Sequence, residues 1–353
     1  MVFYSGAMMI DFSITECDAV IAWVDGNDPK HLFKKAQALK DLGLISALDL
    51  NGTKATRFAN NGEIYYCVAS ILKYAPFVRR IYIVTDAQTP EGIEDFYKQN
   101  ICAKDRIQII DHTVLFESHP DVLPTFNSLT IETMLWNIPK LSNYFIYFND
   151  DFFFNSKVDL SNFITNQGKL KIFGKKRSTR SLLIKKQLRD WRYKYLYPNK
   201  TISAHFKTSQ VLSAQLAGLN FYVELGHTPH VLDRRTLSDF FVQRPDVLKE
   251  QIKYKFRSIN QFLPVGLSNH IEIKHGRAQI EGVADCVYIK PNNINLNQIE
   301  RIQEDQTMFG CIQSLDELNK NWQKTLHETM IAKFKSYLPT TVLDSISAAW
   351  VKE

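Results

Sequence analysis

The chain has 353 residues, of which 45% are hydrophobic and 23% are charged, and it carries a formal net charge of +6. This length allows one large domain or two smaller ones, and the composition is that of a globular protein rather than a disordered or fibrous one. The mild basic excess does not indicate a dedicated nucleic-acid binder, so we expect no nucleic-acid partner. The five cysteines are scattered without a C-x-x-C pair, which argues against a disulfide framework and against a structural zinc site.

The first 155 residues alternate between short apolar strands and amphipathic helices. Predicted strands cover residues 18–24, 80–85, 106–110 and 144–148. Predicted helices cover residues 29–42, 63–73 and 91–98, and a further helix runs from Asn127 or Ser128 to Trp136. Strand–helix alternation of this kind predicts an α/β fold whose central sheet is mainly parallel, with helices on both faces.

The pattern beyond residue 155 is less regular. We expect a core over residues 1–155, a basic helical insertion over 156–225, the second half of the core over 226–295 and a helical C-terminal region over 296–353. Within these regions the sequence predicts a helix over 208–219, helical structure over 235–262, a strand over 283–289 and mostly helix over 296–337. The amphipathic stretch 326–351 predicts a packed pair of terminal helices, and its alternative is a peripheral membrane contact.

Basic residues concentrate in one segment of the insertion. Between residues 169 and 194 lie eleven lysines and arginines and a single acid, Asp190. A solvated excursion explains this composition, and so does a surface for a polyanion or an anionic membrane. No apolar run of about 18 residues is present and residues 1–12 lack the basic start of a secretory signal, so we expect a cytoplasmic protein, with peripheral contact at the inner face of the membrane as an alternative.

Acidic residues follow each predicted strand of the first region. Asp25 comes after the first strand, Asp86 after the second, Asp111 after the third, and Asp150 and Asp151 after the fourth. Ligands of open α/β sheets bind beyond the carboxyl ends of the strands. Carboxylates grouped there repel each other unless a cation joins them, so the pattern predicts Mg²⁺ or Mn²⁺ bridging to a phosphate.

Turn formation is the alternative explanation for several of these acids, because Asp and Asn side chains often bond to the backbone after a strand. It applies to Asp86 and Asp111, whereas Asp28 precedes a proline and is a natural helix N-cap. The Asn149–Asp151 segment differs because it interrupts an aromatic run, YFIYFNDDFFF. Burying adjacent carboxylates there is costly unless their charge is compensated.

Several motifs, taken together, resemble the Stealth family of sugar-1-phosphate transferases, which includes bacterial capsule and cell-wall polysaccharide phosphotransferases. The resembling stretches are DAVIAWVDGNDP at 18–29, the segment 57–90 continued by LPTFNSLTIE at 123–132 and FIYFNDD at 145–151, and GHTPHVLDR at 226–234 followed by FRS at 256–258. A fourth family block usually contains a strand ending in Asn-Asp. Here residues 286–293 read CVYIKPNN, without an acid.

The resemblance implies a nucleotide-sugar core of the GT-A-like type and an unusual phosphoryl transfer. An acceptor hydroxyl attacks the β-phosphorus of a UDP-sugar, UMP leaves, and a sugar-1-phosphate, expected to be an N-acetylhexosamine-1-phosphate, reaches a glycan or a growing phosphodiester polysaccharide. Such chemistry needs in-line positioning, a base and positive charge on the phosphate oxygens. The competing hypotheses are a metal-dependent glycosyltransferase that releases UDP and a polyanion-binding module.

The resemblance also suggests roles for individual residues. His227 is the predicted general base, because the similar block carries its catalytic histidine there and a near-neutral imidazole can accept a proton. His230 is the competitor, with a structural hydrogen bond as its alternative. Asp150 and Asp151 are assigned to the divalent ion, or one of them to orienting His227. Arg257 is a predicted phosphate clamp on the resemblance alone.

The remaining predicted substrate-binding residues lie at strand ends and helix starts. Besides His230 they are Asp25, Arg57, Asn61, Glu63, Asp86, Asn127 and Ser128. Arg57 could clamp the diphosphate bidentately. Asn127 and Ser128 could present a helix N-terminus to a phosphate or sugar, and plain helix capping explains Asn127 and Asn61 as well.

Overall fold

The computed structural model describes residues 16–43, 61–196 and 206–351. The strands are β1 (Cys17–Ala22), β2 (Val78–Thr85), β3 (Ile107–Asp111), β4 (Tyr144–Asn149), β5 (Phe152–Phe154), β6 (Leu170–Ser178), β7 (Phe221–Leu225), β8 (His230–Asp233), β9 (Ala278–Gly282), β10 (Cys286–Ile289) and β11 (Phe309–Ile312). The helices are α1 (Pro29–Asp41), α2 (Glu63–Tyr74), α3 (Asp95–Lys98), α4 (His112–Leu115), α5 (Ser128–Thr133), α6 (Arg180–Tyr195), α7 (Phe206–Leu216), α8 (Arg234–Gln243), α9 (Pro245–Ile252), α10 (Pro264–Lys274), α11 (Leu296–Gln303), α12 (Lys320–Phe334) and α13 (Thr340–Val351).

The main sheet has the strand order β3-β2-β1-β4-β8. β1 pairs in parallel with β2 and β4, and β2 pairs in parallel with β3. The predicted parallel sheet is therefore confirmed for the first four strands. β8 pairs with β4 in the antiparallel direction, with Tyr147 opposite His230, so the parallel arrangement is only partial. Because β8 runs the other way, its start lies beside the end of β4.

The main sheet is buried on both faces, because successive residues of a strand point to opposite sides. In β4, Ile146 and Phe148 belong to one apolar cluster, whereas Phe145 and Tyr147 belong to another. The first cluster continues into α2, α12 and α13, and the second into α5, α8, α9 and α10. The expectation of helices on both faces is thus confirmed.

The amphipathic C-terminal stretch packs its apolar side into the first of these clusters. Met330 and Phe334 of α12, and Val342 and Ile346 of α13, are buried in it. The predicted terminal helix pair is confirmed, and the apolar surface that a membrane contact by residues 326–351 would need is already used in the core. Along the described part of the chain, every helix is too short or too polar to span a bilayer.

Residues 156–225 are less helical than predicted. Besides α6 and α7 they contain β6 and β7, which pair in the antiparallel direction, while β6 also pairs in parallel with β9. The first half of β6 alternates between buried and half-buried residues, but its second half, residues 175–178, is exposed. The basic residues of that half concealed the strand, since charged side chains remove the alternating pattern by which a strand is recognised.

A second sheet, of order β10-β11-β5, lies next to the end of β4. β5 follows β4 after the Asp150–Asp151 turn, and β11 pairs with β5 and with β10. A hydrogen bond of 3.0 Å from the Ile312 N–H to the Asp151 carbonyl oxygen joins the end of β11 to that turn. The expectation of mostly helix over residues 296–337 is wrong at β11, whose four residues are too few to show a period.

Gly310 permits the close packing of this second sheet. It lies opposite Phe153 in the β11–β5 pair, and a Cβ at this position would overlap the buried Phe153 ring. Gly310→Ala should therefore lower the free energy of unfolding by about 1–3 kcal/mol, the usual cost of overpacking. Urea denaturation measures this loss, and adding Phe153→Leu should recover part of it. A loss below about 0.5 kcal/mol, typical of an unconstrained surface position, would contradict the packing.

Candidate active site

A cavity of about 690 Å³ opens at the carboxyl ends of the parallel strands. Residues that follow the strands line it, among them Trp23 after β1, His112 after β3 and Asp150 after β4. β1 leads to β2 on one side and has β4 on its other side, so the strand order reverses at this point. Open α/β sheets bind their ligands at such a reversal, and the cavity lies at the edge that the strand-end pattern predicts.

Glu63, Asp150 and Asp151 form an acidic group in this cavity. Glu63 is the first residue of α2, whereas the two aspartates form the turn between β4 and β5. Burial raises the pKa of all three carboxyls, to about 7 for Asp151, and repulsion adds to the shift because Glu63 lies near both aspartates. The fold therefore holds these carboxyls together against the electrostatic cost.

The two carboxylate oxygens of Asp151 have different surroundings. Oδ2 accepts a hydrogen bond from Sγ of Cys311 at 3.5 Å, whereas Oδ1 is buried and has no hydrogen-bond partner among the residues described. Leaving a buried carboxylate oxygen unpaired is costly, so this atom is a natural contact for a ligand or a cation. Within residues 16–43, 61–196 and 206–351, no three His, Cys, Asp or Glu side chains form a ready-made metal site.

Two further acids line the cavity where no site was predicted. Asp316 and Glu317 belong to a 3₁₀ turn that follows β11. Ser314 starts this turn with a left-handed backbone, φ 55° and ψ 51°. Burial is the main cause of the raised pKa of Glu63, and the charge of Asp316 adds to it. The sequence analysis missed these acids because it did not predict β11.

His227 lies before β8, and its ring packs against aromatic rings from three elements. Tyr288 stacks on it with centroids 4.9 Å apart and an interplanar angle of 11°, and Phe206 lies at 5.8 Å and 27°. Phe152, the first residue of β5, meets it edge-on at 6.4 Å. Burial lowers the pKa of His227, and the positive charge of Lys290 lowers it further. The lowered pKa favours the neutral imidazole, which is the form that can accept a proton.

His230 lines the same cavity from the first position of β8. Its imidazole hydrogen-bonds to the backbone of Gly226, and burial together with His227 lowers the pKa of His230 to about 4. Both histidines reach the acidic end of β4 because β8 is antiparallel to that strand. The bond to Gly226 favours a positioning role for His230, since it ties down the loop that carries His227.

Arg257, Ser128 and Glu132 line another part of the cavity. Nη2 of Arg257 donates a hydrogen bond to Oγ of Ser128 at 2.5 Å. Glu132, one turn further along α5, is only 6% exposed, and its Oε2 has no partner among the described side chains. Burial raises the pKa of Glu132 to about 7, although Arg257 opposes the shift. A single acid in the otherwise uncharged segment SLTIETML was the available signal for Glu132, which the sequence analysis did not assign.

Asp86 lies outside the cavity lining but contacts a residue that belongs to it. Its carboxylate accepts a hydrogen bond from Nζ of Lys34 at 2.8 Å and lies 3.2 Å from Nδ1 of His31, which lines the cavity. Burial acts to raise the pKa of Asp86, but these contacts outweigh it and lower the pKa to about 2. The same wall includes His112, whose pKa burial lowers to about 4. Asp86 therefore positions His31 rather than facing the cavity itself.

Asp25, Asn61 and Asn127 are also outside the cavity lining. Asn127 is fully buried and caps α5, with its Oδ1 accepting an N–H of the first turn at 3.1 Å. Asp25 accepts the N–H two residues later at 2.9 Å. The Asn61 N–H donates to the Glu63 carboxylate at 2.7 Å, so Asn61 helps to hold that acid in place. Arg57 lies outside the described residues.

Comparison with known proteins identifies a family region that covers much of this site. Residues 57–172 match the model of Stealth protein CR2, conserved region 2. The chain carries conserved region 2 of the Stealth family. The resemblance stated from the sequence motifs is thereby confirmed. Stealth region 2 supplies Glu63, Ser128, Glu132, Asp150 and Asp151 to the cavity, whereas His227, His230 and Arg257 come from later in the chain.

Curated relatives with similar sequences are named polysaccharide phosphotransferases. The capsular polysaccharide phosphotransferase cps1A of Actinobacillus pleuropneumoniae is 38% identical over 164 residues, covering 46% of this chain and 42% of that protein. The capsular polysaccharide phosphotransferase LcbA of Aeromonas hydrophila is 30% identical over 255 residues, covering 72% of this chain and 61% of that protein. The exopolysaccharide phosphotransferase SCO6021 of Streptomyces coelicolor is 27% identical over 330 residues, covering 92% of this chain and 56% of that protein. The chain thus spans about half the length of these relatives.

Solved structures also include chains with a similar arrangement. Mouse xyloside xylosyltransferase 1, in its apo form, matches with a TM-score of 0.40 and 11% sequence identity, covering 86% of this chain and 98% of that chain. A similarity this low supports no conclusion about the fold or the function of the Stealth region.

The segment assigned to the fourth Stealth block, residues 286–293, reaches the cavity with a cation. Tyr288 and Lys290 line the cavity, and Nζ of Lys290 lies 5.5 Å from the centroid of the Tyr288 ring. Gln313 and Ser314, which directly follow the neighbouring strand β11, also line the cavity. A positive charge therefore lies in the segment where the family pattern led us to look for an acid.

Lys290 should influence the pH dependence of catalysis by this chain through His227. Because the lysine charge lowers the pKa of His227, Lys290→Met should raise that pKa. The acid limb of kcat/KM, which reports protonation of the free enzyme, should then move to higher pH. Lys290→Arg keeps the charge and should leave the limb in place. An unchanged limb in Lys290→Met would show that the imidazole does not control it.

Proposed function

We propose that this chain transfers a sugar-1-phosphate from a UDP-sugar to a hydroxyl group of a glycan, with release of UMP, during synthesis of a capsule or another surface polysaccharide. The observation that carries the proposal is that His227, Asp150 and Asp151 line one cavity at the carboxyl ends of the parallel strands. The names of the relatives, capsular and exopolysaccharide phosphotransferases, support the same reaction class.

The proposed reaction is a direct displacement at phosphorus. The acceptor oxygen forms a bond to the β-phosphorus, and the bond from that phosphorus to the oxygen bridging the two phosphates breaks. UMP leaves with the bonding electrons, and the hydroxyl proton passes to His227. Such a reaction depends mainly on positioning and charge. The stacking of Tyr288 and Phe206 fixes the imidazole plane, and its lowered pKa keeps it ready to accept a proton.

Two cations of the cavity suit the phosphate oxygens. Arg257 uses Nη2 to hold Ser128 and retains other N–H groups for a ligand. Lys290 lines the cavity beside His227 and forms no ion pair with another described residue. Fixed positive charges in a half-buried cavity stabilise charge that develops on a transferring phosphoryl group. We therefore assign Arg257 and Lys290 to the diphosphate of the donor.

The acidic group fits Mg²⁺ or Mn²⁺, with Asp150 and Asp151 as its protein ligands. The support is the unpaired Oδ1 of Asp151 and the raised pKa values of carboxyls that repel each other. Mg²⁺ often binds through one or two carboxylates and completes its coordination with water and substrate phosphates, so two aspartates suffice. When bound, the ion would supply Lewis-acid stabilisation of the diphosphate charge.

We further propose an N-acetylhexosamine as the transferred sugar and a glycan or growing phosphodiester polysaccharide as the acceptor. These finer assignments rest on the family resemblance. A panel of UDP-sugars, incubated with the chain, a glycan acceptor and Mg²⁺, tests them through the nucleotide that is released. UMP with an N-acetylhexosamine donor is the expected product. UDP would identify a metal-dependent glycosyltransferase, and polymer binding without nucleotide release would identify a polyanion-binding module.

A further inference from the structure

Helix α6 exposes a stripe of large apolar side chains. Ile184, Leu188, Trp191 and Tyr195 are 58%, 58%, 55% and 60% exposed. Their spacing of three and four residues places them on one side of the helix. Soluble proteins rarely expose a contiguous apolar stripe of this kind, so it marks an interaction surface.

The stripe is not the side by which α6 is attached to the protein. Leu182 and Leu183 pack instead against an apolar cluster formed by α7 and β7, which includes Val211 and Tyr222. The helix is therefore already anchored through one apolar side and presents a second one outward. Isolated exposed valines elsewhere, such as the one at position 242 in α8, show no such repetition along their helix.

Basic side chains accompany the stripe. Arg180, Lys185 and Arg192 of α6 are exposed, and so are Lys175 and Lys176 at the end of β6. A soluble polyanion would match this charge but offers nothing to the apolar side chains. A second copy of the chain would match the apolar side chains but would bring like charges together. An anionic phospholipid bilayer satisfies both, because its headgroups are negative and its acyl chains are apolar.

We propose that α6 lies in the interface of an anionic bilayer, with the apolar stripe among the acyl chains and the basic side chains at the headgroup phosphates. Trp191 and Tyr195 suit this depth, since their rings combine an apolar body with a polar tip. The surface is joined to the cavity, because α6 packs on α7 and Phe206, the first residue of α7, lines the cavity. This placement holds whatever reaction the cavity performs.

Vesicle binding by the full chain tests the proposal. We expect co-sedimentation with vesicles of equimolar phosphatidylglycerol and phosphatidylcholine, weak binding to phosphatidylcholine alone, and partial loss of binding when salt rises from about 0.1 to about 1 M. Tryptophan emission should shift to shorter wavelength on binding, and Trp191→Phe should remove most of that shift. No binding to the anionic vesicles would overturn the proposal.

Two sets of substitutions separate insertion from simple charge attraction. Combining Ile184→Ser, Leu188→Ser and Trp191→Ser should weaken vesicle binding at least about tenfold, because buried apolar area supplies the insertion energy. Val242→Ser with Val283→Ser, at exposed valines away from α6, is the matched control and should bind as wild type. Thermal unfolding of each variant checks that it is folded.

Three results would contradict insertion. Unchanged vesicle binding by the serine variant, with loss of binding by Lys185→Glu combined with Arg192→Glu, would mean that only charge matters. Tighter binding of a soluble polyphosphate than of vesicles, insensitive to the serine variant, would assign the surface to a polyanion. Conversion of a dimer to a monomer by the serine variant, measured by light scattering without any change in vesicle binding, would assign it to a second copy.

Discussion

His227→Ala should lower kcat for UMP release by roughly 10²–10⁴, the range expected when a general base is removed. We expect this loss because the imidazole lines the same cavity as the aspartates and its lowered pKa favours the form that accepts a proton. The KM for the UDP-sugar should change little, since the group acts in the transition state rather than in donor binding. Steady-state kinetics with quantified UMP provide the measurement.

His230→Ala is the matched control for this prediction. His230 is tied to the backbone of Gly226 and should affect the rate less, through the loop that carries His227. The acid limb of kcat/KM should also disappear or shift in His227→Ala and persist in His230→Ala. A larger loss in His230→Ala would exchange the roles of the two histidines.

Asp151→Asn should reduce kcat/KM by roughly 10³, because it removes a proposed ligand of the metal ion. A bound metal ion can stabilise the charge of the transition state by several kcal/mol. The substitution removes a negative charge while keeping the size of the side chain. Asp246→Asn, at an exposed aspartate paired with Arg244, is the control and should keep wild-type activity. Wild-type rates in Asp151→Asn, or full activity of the parent protein in EDTA, would show that the reaction does not need a divalent metal ion.

The same substitution should make the metal-free protein more resistant to high pH. The pKa of Asp151 rises from 3.8 to about 7 in the folded protein, so the folded state favours the protonated carboxyl. That contribution to stability is complete below pH about 4 and is lost as the pH rises through about 7. Asparagine cannot ionise, so without divalent ions the Tm of the variant, relative to wild type, should improve between about pH 5 and pH 8.

Thermal shifts with metal give a readout that does not depend on turnover. Mg²⁺ should raise the Tm of the wild type at about pH 8, because it binds only the folded acidic group, and should raise that of Asp151→Asn much less. Equal shifts in both proteins would place the ion elsewhere.

The parallel strands of the main sheet and the acidic end of β4 could be predicted from the sequence because their signals are local, whereas Asp25 and Asp86 lie outside the cavity lining. Each of the first four predicted strands is a short, mainly apolar run followed directly by an aspartate or asparagine. Parallel strands bring their carboxyl ends to one edge of the sheet. The Asn149–Asp151 segment was conspicuous because charge interrupts an aromatic run. This segment lies in the cavity because it follows a parallel strand and therefore lies at the carboxyl edge of the sheet, which a sequence pattern can predict.

The rest of the cavity depends on contacts between distant segments, which leave no local pattern. Tyr288 and Lys290 reach His227 only because β10 pairs with β11 and β11 pairs with β5. β11 is too short to show the alternation of buried and exposed residues by which a strand is recognised. Asp316 and Glu317, which follow it, were therefore missed as well. The antiparallel direction of β8, which brings His227 to the end of β4, likewise appears only in the folded chain.

The fate of the β-phosphate tests the central claim most directly. A UDP-sugar that carries a radioactive β-phosphate would be incubated with the chain, a glycan acceptor and Mg²⁺, and the label followed into acceptor and nucleotide. Transfer at phosphorus with His227 as base predicts label in the acceptor, unlabelled UMP, and loss of both in His227→Ala. Label retained in UDP while the sugar moves to the acceptor would contradict it.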